Sequence, residues 1–236
     1  MCSRYMLVSS AALLATATQV ARFPSRRPRH NAAPTQHLPV VRRTAGAEGR
    51  EAVELRWGLV PAWAREPRTA SLLINARAET VAEKPAFRES FRLRRCLVPA
   101  DGFFEWQKTP GGRMPWLFQR ADGAPLLFAG LWEHWAGGGA EPFESFTILT
   151  TTANPLLAEL HDRMPVILPR EALDEWLAAE ASPQSLAHLL VPFPADAMTR
   201  RPVNPRLNNV AHDDPACLEP PAAQSNPSGA QLNLGL

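Results

Sequence analysis

Twenty-four prolines in 236 residues restrict the architecture of this chain more than any other feature. Each ring fixes φ and removes a backbone N–H, so proline breaks helix interiors and central strands. A chain punctuated this often accommodates short strands and irregular connections rather than long helices. Its β-rich runs obey that limit. Residues 53–60 read as a strand that stops at Pro61, and residues 93–99 and 102–108 as two more. Thr109-Pro110-Gly111-Gly112 is a turn, and residues 116–119 return from it. Residues 126–135, 145–151 and 164–168 continue the β pattern.

Helices are expected to be few and short. One lies within residues 6–21, where Leu7, Ala11, Leu14 and Thr18 recur at helical spacing. Residues 81–91 are a second candidate. Asn154 followed by Pro155 has the form of an N-cap with proline in the first turn, opening a helix to about Leu160. Residues 170–179 and 182–190 read as surface helices, and residues 23–39 as a Pro- and Arg-rich loop or extended segment. Strands that follow one another through hairpin turns specify an α+β class with a mostly antiparallel sheet. From Asn208 to residue 236 apolar periodicity is lost, which predicts a disordered tail.

Composition excludes several classes. With 45% hydrophobic and 20% charged residues, the chain is an ordinary globular sequence long enough to bury a core. Cys2, Cys96 and Cys217 form no CxxC pair, so neither a disulfide framework nor a zinc site is expected, and a cytoplasmic location fits. A net charge of +2 excludes a globally basic nucleic-acid binder. Yet only Lys84 and Lys108 interrupt an otherwise all-arginine set of cations, clustered at Arg22, Arg26, Arg27 and Arg29 and at Arg92, Arg94 and Arg95. That bias suits phosphate recognition, and equally a GC-rich genome. The Ala- and Leu-rich run at residues 6–21 has a secretory reading beside the helical one, but it is too interrupted for a membrane span.

Polar residues at four places in the chain stand out. Cys2 follows Met1 directly. Removal of Met1 would leave an amine and a thiol on one two-carbon unit, both partly nucleophilic near neutral pH. Such a 1,2-aminothiol condenses with an aldehyde to an imine and then to a thiazolidine. Glu105 lies in the aromatic run Phe103-Phe104-Glu105-Trp106, where alternation puts it on one face with Phe103. A carboxyl on an apolar face has a raised pKa suited to proton transfer. Asn75, Arg77 and Glu79 share one face if extended, an arrangement that orients a polar substrate or holds a phosphate. His161 ends the helix that Asn154 opens, where the helix dipole favours imidazolium.

Six stretches together resemble the SRAP family, the "SOS response-associated peptidase" domain. They are MCSRY at residues 1–5, RHNAAPTQ at 29–36, RWGLVP at 56–61, INARAET at 74–80, CLVPADGFFEW at 96–106 and LHDRMPVIL at 160–168. The resemblance covers residues 1–207. It implies one α+β domain with a β-barrel-like, mostly antiparallel sheet and a positively charged groove for single-stranded DNA. It further implies that Cys2, after Met1 removal, links covalently to the aldehyde of an abasic site, with Asn75, Glu105 and His161 as the other catalytic positions. Arg77 and Arg163 match positions expected to touch DNA phosphate, with Arg4 an addition. The partner implied is single-stranded DNA containing abasic sites; no cofactor, metal or membrane is called for, and a monomer is expected. The alternative is the namesake activity, a thiol peptidase with Cys2 as nucleophile that processes its own Met1. A single-strand binding module with an incidental Cys2 is a third reading. Ser3 departs from the glycine usual after the cysteine in this family, which puts the backbone geometry there in question. A cleaved secretory signal would discard Cys2, so the resemblance favours the helical reading of residues 6–21.

Overall fold

A computed structural model describes residues 2–44, 49–66, 73–137, 139 and 141–221. The chain runs β1 (Tyr5–Leu7), α1 (Ala11–Thr18), β2 (Arg29–Ala32), β3 (His37–Arg43), β4 (Arg50–Trp57), β5 (Asn75–Arg77) and α2 (Arg88–Leu93). It continues β6 (Arg95–Ala100), β7 (Gly102–Thr109), β8 (Gly112–Arg120), β9 (Leu126–Trp135) and β10 (Phe143–Thr152). Then follow α3 (Pro155–Ala158), β11 (Arg163–Pro165), α4 (Leu173–Leu177) and β12 (Met198–Pro202).

Five strands close a barrel: β4 pairs β3, β3 pairs β6, β6 pairs β9, β9 pairs β10, and β10 returns to β4. Only the β10–β4 closure is parallel within that ring. The C-terminal end of β10 carries β5 in parallel and β11 antiparallel. A second, antiparallel sheet runs in the order β12-β8-β7-β1-β2. The α+β, barrel-like and mostly antiparallel expectation is what the structure has.

Apolar alternation explains how the second sheet docks. Tyr5, Leu7, Phe103 and Phe118 face the main core, while Met6, Phe104 and Leu117 face a smaller cluster with Val203, Leu207 and Cys217. In the main core Tyr5 packs 5.2 Å from Trp57, and Trp57 stacks on Phe146. The buried indoles all have partners: Trp57, Trp135 and Trp176 donate to the carbonyls of Ile74, Ala64 and Cys96. Arg95, in the core strand β6, gives its guanidinium to the carbonyls of Phe91, Arg92, Trp176 and Ala178, capping α2 and α4 against the barrel.

Several local expectations are corrected. Residues 6 and 7 belong to β1, not to a helix, and α1 begins only at Ala11, capped by Ser10. Pairing of β1 with β2 and β7 on its two sides overrides the helical spacing. Residues 23–39 contain β2 and the start of β3. Residues 182–190 form no α-helix, only turns and a 3₁₀ turn at Ala187–Leu189. The expected tail is corrected in its first part. Pro205–Asn208 and Pro215–Leu218 are 3₁₀ turns, and Cys217 is buried. Their anchors, described below, lie on β2 and are invisible to local periodicity. Residues 222–236 of the expected tail lie outside the described residues.

Gly102, at the start of β7, marks where the sheet is tightest. A Cβ there would lie 2.7 Å from Leu117 Cδ1 and 2.8 Å from the Phe118 carbonyl oxygen, which cannot swing away. Gly102→Ala is expected to destabilise the protein by about 1–3 kcal/mol, measured by urea unfolding.

Candidate active site at the chain start

The residues flanking Cys2 hold it in place. Cys2 is fully buried, its Sγ donates weakly to the Arg4 carbonyl, and its own carbonyl accepts a 2.8 Å hydrogen bond from Asn75 Nδ2. Asn75 is placed by β5, which adds to β10 in register Ile148↔Asn75. Glu105 reaches the site along β7, two residues beyond Phe103 on the same face, and is 4% exposed. His161 follows α3, which is a single turn capped by the Asn154 side chain. Cys2, Asn75, Glu105 and His161 are thus brought to one end of the two sheets.

Burial sets the electrostatics. It pushes the Glu105 carboxyl up from its ordinary value, against the positive charge of the chain's amino terminus. It also pushes the Cys2 thiol well up, and the Glu105 charge adds to that rise. The site therefore holds a protonated thiol at neutral pH, not a thiolate.

His161 departs from the expected imidazolium. Burial and the positive amino terminus lower its pKa, and the short α3 offers little dipole to oppose them. Its Nδ1 accepts the backbone N–H of Arg163 at 2.9 Å, which leaves the ring proton on Nε2. Asp162 Oδ1 also lies 3.0 Å from Nδ1, an ion pair that would need a proton there. The backbone donor cannot yield that position, and Asp162 is 86% exposed, so the neutral Nε2–H form prevails.

A cavity of about 720 Å³ opens beside these groups, lined among others by Ser3, Glu105, Trp106, Lys108, Arg113 and His161. A smaller one of about 430 Å³ adjoins it between Ser3, Arg4, Trp106, Arg113 and Asn208. Arg4 lines that cavity while one guanidinium nitrogen donates to Asn31 Oδ1 at 2.8 Å. Arg77 is exposed at the end of β5. Arg163 is placed otherwise: it is 9% exposed, with its guanidinium turned inward onto Glu79 and Thr150. Asn75, Arg77 and Glu79 do not share one extended face, because the strand ends at Arg77 and a 3₁₀ turn carries Glu79. Among the described residues no group of three or more His, Cys, Asp or Glu is placed to hold a metal ion.

Sequence reasoning missed several residues of this region. Lys108 and Arg113 stand opposite each other in the β7–β8 hairpin, a register that the Thr109–Gly112 turn could have supplied. Asn31 is fully buried and donates to the carbonyls of Leu207, Asn209 and His212. Asp213 accepts from the backbone of His30 and Asn31 and pairs with Arg29. Together they bring Asn208 beside Trp106, whose indole N–H it accepts at 2.7 Å. These contacts span some 180 residues of sequence, and no local signal announces them.

The family model of the SOS response associated peptidase (SRAP) matches residues 1–210. The chain belongs to the SRAP family. Curated relatives include "Abasic site processing protein YoqW" of Bacillus subtilis (strain 168), 38% identical over 194 residues, which cover 81% of this chain and 86% of the relative. "Abasic site processing protein YoaM" of the same organism is 35% identical over 224 residues, covering 93% and 98%. "Abasic site processing protein HMCES" of Gallus gallus is 32% identical over 224 residues, covering 82% of this chain and 66% of the relative. Among solved structures, a Bacteroides thetaiotaomicron protein superposes with a TM-score of 0.79 at 26% identity, covering 93% of this chain and 99% of its own. No helix among the described residues of this SRAP protein is long and apolar enough to cross a membrane.

A buried carboxyl with a raised pKa contributes stability only while it is neutral. That contribution is present below its unfolded pKa and is lost as pH rises through the folded value. Glu105→Gln is therefore expected to gain in stability over the wild-type protein as pH rises from 4 to 7. Urea midpoints measured across that range check the sign.

Proposed function

We propose that this chain, once Met1 is removed, captures abasic sites in single-stranded DNA through a covalent bond to Cys2. One observation carries the reading: Asn75 pins the Cys2 carbonyl beside a buried Glu105 and a neutral His161, at the edge of an open cavity. The relatives' names point to the same lesion.

The Cys2 amine attacks the C1′ aldehyde of the ring-opened sugar, and its proton passes to Glu105. Burial raises the pKa of that carboxyl, which makes it a better proton acceptor for this transfer. Glu105 hands that proton to the new alkoxide, giving the carbinolamine, and then carries the second amine proton to the hydroxyl, which leaves as water. The Cys2 thiol then adds to the imine carbon while its proton moves to nitrogen, closing a thiazolidine with net loss of one water. His161, with its proton on Nε2, offers a hydrogen bond to the ring oxygen of the sugar, which receives the C1′ hydroxyl proton as the ring opens. Asn75 fixes the backbone from which both nucleophiles project. Arg4 and Arg77 hold flanking phosphates, so non-covalent affinity falls with salt. A thiol peptidase working through Cys2 is less favoured, because such nucleophiles depend on a depressed thiol pKa and burial drives this one up.

On a denaturing gel, Met1-free protein mixed with single-stranded DNA carrying one abasic site is expected to give a heat-stable shifted band. Cys2→Ala should give none. Cys2→Ser keeps the amine but not the thiol, so its band should appear only after borohydride trapping. Asn75→Ala is expected to slow the reaction by about 3- to 10-fold, the worth of one hydrogen bond. Native protein that leaves the DNA unshifted would refute the proposal. In titrations with undamaged single strands, Arg77→Ala should flatten the slope of log affinity against log salt by about 0.7.

A further inference from the structure

The segment that folds back after β12 reaches the wall of the site through one side chain, Asn208. Its amide is used at both ends. Oδ1 accepts the indole N–H of Trp106 at 2.7 Å, and Nδ2 donates to the Arg113 carbonyl at 3.0 Å. An indole nitrogen only donates and a carbonyl only accepts, so the two partners dictate which way the amide faces. Asn208 thus ties a side chain of β7 to the backbone of β8.

The base of this arm is anchored. Leu207 is buried with Phe104 and Leu117, and its carbonyl accepts from Asn31 at 3.1 Å and from Arg4 at 3.3 Å. Asn31 is itself buried and holds the Asn209 and His212 carbonyls as well.

Trp106 follows Glu105 directly in β7 and lines both cavities, together with Ser3 and Arg113. It packs against the cluster of Phe104 and Leu207, and the Arg4 guanidinium lies 6.0 Å from its ring centroid. The bond to Asn208 selects one setting of the ring, because turning the indole about Cβ–Cγ would carry its N–H away from the amide. An aromatic surface held in one orientation, beside cavities that Arg4 and Arg113 also line, is what stacking of a base requires.

We propose that Asn208 is a positioning residue that sets the Trp106 indole to stack on a base beside the lesion, which makes the fold-back of residues 204–213 part of the DNA-binding surface. The inference rests on the single-strand reading above. It concerns affinity and leaves the chemistry at Cys2 to Asn75, Glu105 and His161.

Asn208→Ala and Trp106→Phe test it, since phenylalanine keeps an aromatic face and loses the N–H. Asn208 is exposed, and thermal melts verify folding. Each variant is expected to raise the concentration of abasic single strand that gives half-maximal crosslinking rate by about 3- to 10-fold, the population shift that one hydrogen bond holds. The maximal rate should stay within about twofold. The double variant should lose no more than Trp106→Phe alone. In binding titrations, Asn208→Ala is expected to weaken affinity for an undamaged oligonucleotide by the same factor. It should leave affinity unchanged for a strand built entirely of tetrahydrofuran spacers, which has phosphates but no bases. The Trp106 indole signal in ¹H–¹⁵N spectra, assigned by its loss in Trp106→Phe, should move in Asn208→Ala.

Wild-type affinity in Asn208→Ala, an equal loss on the base-free strand, additive losses in the double variant or an unmoved indole signal would each overturn the proposal. So would a fall in maximal rate at an unchanged half-saturating concentration. Wild-type protein that binds single strands without crosslinking them would refute the covalent reading alone, and the titrations would still decide the role of Asn208. Wild-type protein that binds no single strand would overturn both.

Discussion

Burial of the strand that follows Cys2 fixes where that residue sits. Tyr5 and Leu7 enter the main core, Met6 enters the second cluster, and the backbone of β1 pairs on both sides. Leu7 and Met6 each contribute on the order of 1.5–3 kcal/mol of transfer free energy. Chain termini ordinarily fray. Here the Asp101 carboxylate also accepts the backbone N–H groups of Val8 and Ser9 at the far end of β1. The first residues therefore form a rigid base from which Cys2 projects toward Asn75 and Glu105.

The same burial selects the protonation states. A carboxyl and a thiol withdrawn from water both resist ionisation, and an imidazole withdrawn from water resists gaining a proton. Glu105, Cys2 and His161 are shifted in those directions. Such a site suits proton exchange around an amine and an aldehyde more than attack by a thiolate. Positive side chains lie outside this centre, on Arg4, Lys108 and Arg113 around the cavities and on Arg77 at the end of β5.

The parts legible in the sequence are those that local chemistry dictates. The β7–β8 hairpin followed from its turn residues, and the Phe103–Glu105 face from alternation. Asn154 as a cap followed from its proline neighbour. Residues 6 and 7 were misread because Ala- and Leu-rich helical spacing is outweighed by two strand partners that lie elsewhere in the chain. The sequence does not show that Glu79 stands across β10 from Arg163 and takes its guanidinium. The role of Asn31 and Asp213 in folding back residues 207–213 was hidden for the same reason. That segment lacks apolar periodicity and is ordered because the buried Asn31 satisfies its carbonyls.

The central claim is that the amine and the thiol of one residue, Cys2, are both consumed by the lesion. Mass spectrometry of the protease-digested crosslink tests it most directly, after alkylation of free thiols under denaturing conditions. The account predicts an N-terminal peptide that begins at Cys2, lacks Met1, carries the DNA remnant with loss of one water, and takes up no alkyl group at Cys2. A crosslinked peptide that retains Met1, or one whose Cys2 is alkylated, would contradict it.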